Sequence, residues 1–200
     1  SNILTIQEKI KEDLNDIRVK TLNEWAINYT KGDIIKELQI TCSKSKNDSK
    51  NPVLRLIDKP TRFEFLVSIA LKQHFRELHV YPNYHVDDEG LPTFTASGGI
   101  ADIECFATDN NPLVEVTLMS SRTQATNEMP AITRHLQEAK EKYPDKFVFS
   151  VFIAPTIHAD TKYMAGYSKF QYDVDILTYT LKEFIKNIGE SLQKSYFCMY

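Results

Sequence analysis

Hydrophobic residues follow one spacing over the first forty residues of the chain and another over the remainder. Between residues 3 and 40 they recur every three or four positions, which predicts amphipathic helix. Asn15 and Asp16 could interrupt this helix, and Lys31-Gly32-Asp33 is expected to close it, with Asp33 as the N-cap of a second helix over residues 34–40. The apolar stripe either packs on the rest of the protein or links it to another module, because periodicity fits both. Its members are Ile3, Ile6, Ile10, Leu14, Ile17, Leu22, Trp25 and Ala26.

From residue 60 onward, strand and helix patterns alternate, which predicts an α/β sandwich built on a mixed sheet. Residues 146–154 are the most apolar segment and are expected to form the central strand, covered on both faces. Pro130 is expected to begin a helix, after a polar loop over residues 120–128. The predicted strands are residues 78–86, 97–106, 112–118, 146–154 and 175–177, and the predicted helices are residues 60–77, 130–143, 159–167 and 180–192.

A polar segment without periodicity, residues 42–52, separates the two parts of the chain. We therefore divide the protein into a helical extension or linker over residues 1–50 and a second domain over residues 51–200.

Two carboxylates stand among apolar residues in consecutive predicted strands. Asp102 opens one strand behind a Gly-Gly pair, and Glu115 lies between Val114 and Val116 in the next. Side chains alternate along a strand, so Glu115 shares a face with Thr117. An acidic group inside an apolar strand costs free energy unless something pairs with it. A divalent cation that prefers oxygen ligands, such as magnesium, is one such partner.

Asp102 followed by Glu115-Val116-Thr117 resembles the PD-(D/E)xK nuclease motif, with Thr117 where the pattern usually has lysine. The order of further segments resembles the cleavage domain of AlwI-type type IIS restriction endonucleases, a group that includes the small, separately encoded subunits of heterodimeric enzymes. The resemblance implies a restriction-endonuclease-like sandwich, with a central mixed sheet flanked by helices and an N-terminal helical extension. The resemblance also implies that residues 51–200 form the nuclease domain. The further segments are residues 60–65, 81–90 and 134–138, within a similarity that spans residues 58–170.

The resemblance also implies a metal site. Asp102, Glu115 and the backbone carbonyl of Val116 would hold Mg²⁺, which Mn²⁺ can replace. Glu64 has two interpretations of equal standing. It is either a third acidic group in the metal site, or a charge that complements the first turn of the helix over residues 60–77.

Thr117 offers a hydrogen bond but no charge, so another group is expected to supply what the usual lysine supplies. Arg134, His135 and Gln137 are candidates, because their helix directly follows the two strands. His135 and Gln137 are the stronger two, since Arg134 points furthest from the buried stripe. For each of the three taken alone, an ordinary role as helix surface or core edge is the favoured interpretation. The relatives that the chain resembles lack this lysine too, so Thr117 does not by itself imply an inactive enzyme.

A protein that binds DNA on its own normally has a basic surface, whereas this chain has a formal net charge of −3. We therefore expect double-stranded DNA to be presented by a DNA-recognition domain or large subunit, and a double-strand break to need a second nuclease domain. Cys42, Cys105 and Cys198 show no CxxC spacing, so neither zinc nor a disulfide framework is expected. Without a signal-peptide pattern or an apolar run near the roughly 20 residues of a membrane helix, a cytoplasmic location and no membrane partner are expected.

These observations lead to one principal hypothesis, a magnesium-dependent DNA endonuclease domain of a type IIS restriction enzyme. One alternative is a non-catalytic interaction module on a nuclease fold, in which the carboxylates serve only structure. Another is a nuclease of the same fold that acts in repair or accompanies a transposon. Glu115 in mid-strand and the order of the segments favour the first hypothesis.

Overall fold

A computed structural model describes residues 2–46 and 48–189, and its centre is a five-stranded sheet. The six α-helices described are α1 (Asn2–Asn28), α2 (Lys31–Cys42), α3 (Lys59–His74), α4 (Thr123–Lys142), α5 (Ala159–Tyr172) and α6 (Leu181–Gly189). The strands of this part of the chain are β1 (His79–Pro82), β2 (His85–Val86), β3 (Pro92–Phe94), β4 (Ile103–Phe106), β5 (Asn110–Val116), β6 (Phe147–Ala154) and β7 (Ile176–Thr180).

The central sheet has the strand order β1-β4-β5-β6-β7 and is mixed. The pairs β1–β4 and β4–β5 are antiparallel, whereas β5–β6 and β6–β7 are parallel. The predicted α/β architecture with a mixed sheet is therefore confirmed. Every residue of β6 except Phe147 is buried, as expected for a strand covered on both faces. The strand at the centre is β5 and not β6, because β4 and β1 continue the sheet beyond β5.

Helices cover both faces of the sheet and enclose two hydrophobic cores. One core joins α3 to side chains such as Val114 and Val151, and it also contains residues of α1, α2 and α6. The other core packs α4 and α5 against residues that include Leu113 and Phe152. Because side chains alternate along β5, Glu115 lies on the Leu113 face, towards α4.

The apolar stripe of the N-terminal helices divides into a buried and an exposed part. Leu22 and Trp25 of α1, together with Ile34 and Leu38 of α2, belong to the main core. Ile3, Ile6, Ile10 and Leu4, by contrast, are more than half exposed. The second half of α1 therefore packs on the sheet domain, while the division of the chain at residue 50 stays a prediction.

The helix boundaries near residue 30 differ from those predicted. α1 continues through Asn15 and Asp16, and Lys31-Gly32-Asp33 begins α2 instead of closing α1. Thr30 is the N-cap, and its hydroxyl accepts a hydrogen bond from the Asp33 amide at 3.1 Å. The Asp33 carboxylate accepts one from the Thr30 amide at 3.0 Å. Asp33 is thus the third helical residue of a capping box, a role that a threonine three positions earlier makes favourable.

The predicted polar loop over residues 120–128 is wrong for most of its length, because α4 begins at Thr123. Pro130 lies inside α4, on its exposed side, where it removes one backbone hydrogen bond without ending the helix. The Gln124 side chain fixes the beginning of α4 by donating to the carbonyls of Met119 and Thr156 at 2.8 and 2.9 Å. The two additional turns place residues 123–129 beside the end of β5.

Several strand boundaries also differ from the predicted ones. The strand expected over residues 97–106 is limited to β4, and β5 begins at Asn110, since Asn110, Asn111 and Pro112 already pair with β6. The strand expected over residues 78–86 divides into β1 and β2, and β2 pairs with β3, which the sequence reading missed. The last helix was expected to reach residue 192, and its predicted end lies outside the described residues. Among residues 2–46 and 48–189, no helix is both long and apolar enough to cross a membrane.

Candidate active site

Asp102 and Glu115 meet at the end of the antiparallel pair β4–β5. The register pairs Ile103 with Val114, which puts Asp102 across from Glu115. The Asp102 amide donates a hydrogen bond to Glu115 Oε2 at 3.2 Å, and the Val116 amide donates one to Asp102 Oδ2 at 2.8 Å. The hairpin backbone therefore holds the two carboxylates of the sequence motif together.

These carboxylates lie in a cleft of about 390 Å³ between α3, α4 and the segment over residues 95–100. Glu64 and Glu128 line the same cleft. Glu64 is only 3% exposed, and its Oε2 accepts a hydrogen bond from the Ala96 amide at 3.0 Å. It lies in the second turn of α3, since the helix begins at Lys59, so the charge is not in the first turn. The geometry therefore favours Glu64 as a group of the cleft over Glu64 as a complement to the helix end.

The carboxylates of the cleft destabilise one another's charged forms. Burial, followed by the charges of Glu115 and Glu64, raises the pKa of Asp102 well above its usual value. Burial raises the pKa of Glu64 to about 8; Glu115 adds to this shift, while the hydrogen bond from Ala96 opposes it. Burial and Glu115 also raise the pKa of Glu128, against a hydrogen bond from Thr117 that lowers it. Lysine and arginine are absent from the described residues that line the cleft. The negative charge of its carboxylates is therefore not balanced by a lysine or arginine of the lining.

His135 contacts Glu115 from α4. Its Nδ1 donates a hydrogen bond to Glu115 Oε1 at 2.8 Å, and the side chain is 9% exposed. Nε2 is buried and has no hydrogen-bond partner within the described part of the chain. Glu115 is thus oriented on both oxygens, by His135 and by the Asp102 amide, and a ring nitrogen remains available beside it.

The donor set of the cleft fits a small divalent cation that takes few protein ligands. Among the described residues, no three or more His, Cys, Asp or Glu side chains are already grouped as a metal-binding cluster. Magnesium, however, keeps several waters and uses only one or two carboxylates. The Asp102–Glu115 pair satisfies that requirement, and a cation there would offset the burial and the neighbouring negative charges that raise the pKa of Asp102.

Comparisons with known proteins identify the family of the chain. A sequence model of the AlwI restriction endonuclease family matches residues 1–186. The chain belongs to that family. Among solved structures, the fold is similar to the small subunit of the heterodimeric restriction endonuclease R.BspD6I, with a TM-score of 0.65 and 23% identity. The similarity covers 80% of this chain and 77% of that one. No curated protein matches the chain.

Membership of the AlwI restriction endonuclease family confirms the resemblance that the sequence motifs indicated, and the chain has a role related to restriction nucleases. Five of the six candidate site residues, Asp102, Glu115, Thr117, Glu64 and His135, line one cleft, as does Val116. Gln137 does not, because it follows His135 by two positions and is therefore exposed on another side of α4. Arg134 is exposed as well.

Glu128 is the residue of the cleft that the sequence reading missed. It precedes His135 by seven positions, which is two helical turns, so both side chains lie on the same face of α4. That spacing was a usable signal. A proline is typical of a helix start, so Pro130 predicts a helix that begins after Glu128 and hides this spacing; α4 in fact begins at Thr123.

We expect Glu64→Gln to lower the cleavage rate at least about 10- to 100-fold, because loss of even a group that only orients the ligands of a metal has an effect of that size. The amide oxygen still accepts the hydrogen bond from Ala96, so the unfolding free energy should equal or exceed that of the wild type. The measurements are cleavage in the presence of the recognition component and denaturant unfolding. Glu138→Gln, on the exposed side of α4, is the control. A normal rate with a stability loss of about 0.3–1 kcal/mol would instead support the helix-end role.

Proposed function

We propose that this protein is the divalent-metal-dependent cleavage component of a type IIS restriction enzyme. It would hydrolyse a phosphodiester bond in one DNA strand, near a site read by another domain or subunit. The observation that supports this proposal is the Asp102–Glu115 pair in a carboxylate-lined cleft, within a chain of the AlwI restriction endonuclease family.

Asp102 and Glu115 would hold Mg²⁺ or Mn²⁺, with the backbone carbonyl of Val116 and the Glu64 carboxylate as further ligands. A bound cation of this kind lowers the pKa of water and neutralises negative charge on the phosphate. The protein contributes orientation, because Asp102 is held by the Val116 amide and Glu115 by His135. These contacts fix the two carboxylates before substrate arrives, which avoids reorganisation during the reaction.

Two further side chains serve the proton and charge requirements of hydrolysis. His135 Nε2 has no partner in the described residues and could hold or release a proton inside the cleft. The Thr117 hydroxyl occupies the position of the usual lysine and offers a hydrogen bond without charge. It accepts one from the Met119 amide at 3.2 Å and contacts Glu128. The positive charge that lysine would bring must then come from the cation.

The subunit arrangement of the similar structure supports a partner for this chain. That protein is one subunit of a heterodimeric restriction enzyme. We propose that this chain likewise acts with a DNA-recognition domain or large subunit, and that a double-strand break needs a second nuclease domain. The net charge of −3 agrees with recognition by another component.

A non-catalytic interaction module is the second candidate. It is favoured by one observation, the lack of any lysine or arginine among the described residues of the cleft. In this case the cleft would bind no cation, and its carboxylates would serve only the hydrogen bonds that they form with the backbone and with His135 and Thr117. Metal binding therefore separates the two candidates.

We expect Mg²⁺ and Mn²⁺ to raise the melting temperature of the purified chain in a saturable way, because ligands that bind only the folded state stabilise it. The gain is about 2.7 kcal/mol at a hundredfold excess over Kd. Differential scanning calorimetry with each metal salt measures it. Asp102→Asn should abolish the response, whereas Asp109→Asn, exposed in the turn between β4 and β5, should retain it. An unchanged melting temperature in both metals would favour the non-catalytic candidate.

A further inference from the structure

A second cavity, of about 320 Å³, opens beside the cleft and has the opposite charge. We call it the basic pocket. Four separate segments build it: the end of α2 with the loop that follows, the first residue of α3, the segment after β5 and the segment after β6. Its lining consists of Thr41, Cys42, Ser43, Lys44, Lys59, Leu118, Ser120, Pro155 and Thr156.

The two lysines of the basic pocket are available to an anion. Lys59 is half-buried, and its Nζ donates one hydrogen bond, to the Ser43 carbonyl at 3.3 Å, which leaves other protons free. Lys44 is exposed. The described lining contains no carboxylate. The nearby Asp48 carboxylate is within the electrostatic influence of Lys59, but its main partner is Arg62, whose Nη1 binds it at 2.6 Å.

Two neutral groups of the pocket strengthen this assignment. Burial raises the pKa of the Cys42 thiol to about 12, although the charge of Lys59 acts in the opposite direction. Cys42 therefore stays uncharged at neutral pH and does not neutralise the lysine. Thr41 is 1% exposed, and its hydroxyl has no hydrogen-bond partner in the described part of the chain. A buried hydroxyl without a partner is costly, and an acceptor in the pocket would relieve that cost.

The basic pocket adjoins the cleft directly. Leu118 lines both cavities. Two pairs of consecutive residues also connect them: Lys59 and Ser120 line the basic pocket, while their neighbours Pro60 and Met119 line the cleft. Both cavities lie where β5 and β6 end, since Val116 and Ala154 are the last residues of those strands. The basic pocket is therefore within reach of a polymer whose reacting bond lies at Asp102 and Glu115.

Lysine and hydroxyl donors are the groups that proteins use to contact DNA phosphates and sugars. Such contacts set the register of the duplex and carry no sequence information. Here they would also offset the repulsion between DNA and the four carboxylates of the cleft.

We propose that the basic pocket binds a backbone phosphate next to the scissile one, through Lys44, Lys59 and the hydroxyls around them. This inference rests on the proposed function, because it assumes that DNA lies in the cleft.

The test is a titration of the isotope-labelled chain with a 12-base-pair duplex at low salt, followed by two-dimensional NMR, which detects weak binding. The amide signals of Thr41, Ser43 and Ser120 should move as duplex is added. The variant Lys44→Gln/Lys59→Gln should lose these shifts and bind the duplex about tenfold more weakly, with a salt dependence reduced by roughly one to two phosphate contacts.

The matched control is Lys46→Gln/Lys50→Gln. It removes the same charge from the segment between α2 and α3, at two exposed residues outside the pocket, and should keep the signal shifts and lose less than half of the affinity. Circular dichroism melting verifies that both double variants are folded. An equal loss in the two variants would show that only the general charge of the loop matters and would overturn the proposal.

The outcomes also separate this inference from the proposed function. If the duplex moves the amide signals of Glu64 and Val116 but not those of the basic pocket, the inference is overturned and the cleavage role stays intact. No shift in either cavity would overturn the inference as well. Titration of the same sample with Mg²⁺ tests the cleft independently, since the proposed function requires signals of Asp102 and Glu115 to respond to metal.

Discussion

Replacing Asp102 with asparagine is expected to lower DNA cleavage at least about 1,000-fold, because cation binding and charge stabilisation at phosphorus would be lost together. The fold should not suffer. Asparagine keeps an oxygen that accepts the Val116 amide hydrogen bond, and it removes a carboxyl group whose charged form is disfavoured by burial and by Glu115 and Glu64. We expect the metal-free variant to be at least as stable as the wild type. Cleavage assays with the recognition component and denaturant unfolding in a chelator measure the two effects.

The companion variant Glu115→Gln tests whether the two carboxylates act as a unit. If they share one cation, the double variant should be no slower than either single variant, because groups that act together are not additive. Asp109→Asn, in the turn of the same hairpin, is the control and should cleave normally. Near-normal cleavage by Asp102→Asn, or a loss explained by unfolding, would remove Asp102 from the proposed site.

The parts of the cleft that the sequence predicted are those that depend on short-range strand geometry. Asp102 and Glu115 are thirteen residues apart, but they lie on two strands joined by a tight turn. Antiparallel pairing of such strands leaves little choice about which residues face each other. The same reasoning identified β6, because a continuous apolar run needs cover on both faces.

The parts that the sequence did not predict depend on tertiary contacts that no local pattern contains. Glu128 reaches the cleft only because α4 begins at Thr123, where Gln124 is held by the carbonyls of Met119 and Thr156. Position 156 is more than thirty residues away in the sequence. Gln137 was expected near the cleft, but two positions separate it from His135, and the helix turns its side chain to solvent.

The exposed half of the α1 stripe shows the same limit. Spacing alone could not distinguish Ile3, Ile6 and Ile10 from Leu22 and Trp25. The first three remain mostly exposed, whereas the last two are buried beneath α3 and its neighbours. Amphipathic spacing predicts that a helix has an apolar face, but it does not predict how far along the helix a partner covers that face.

We expect the isolated chain to bind DNA weakly and to cleave little of it, while addition of the recognition component should restore cleavage of one strand at a fixed distance from the site. The acidic cleft and the net charge of −3 give the chain little general attraction for DNA. Nicking of a plasmid, followed on gels with and without the component, measures this dependence. Because the chain has one Asp102–Glu115 pair, linear product should appear only when a second nuclease domain is present.

The salt dependence of binding shows which component contacts DNA. The logarithm of the affinity should fall with the logarithm of the salt concentration by about 0.9 per phosphate contact. We expect the recognition component to account for most of that slope, and this chain for no more than one or two contacts. A titration of the complete enzyme, compared with the recognition component alone, gives the difference. Tight, sequence-specific binding by this chain alone would contradict the division of labour. It would direct attention to the exposed first half of α1 as a surface for reading DNA.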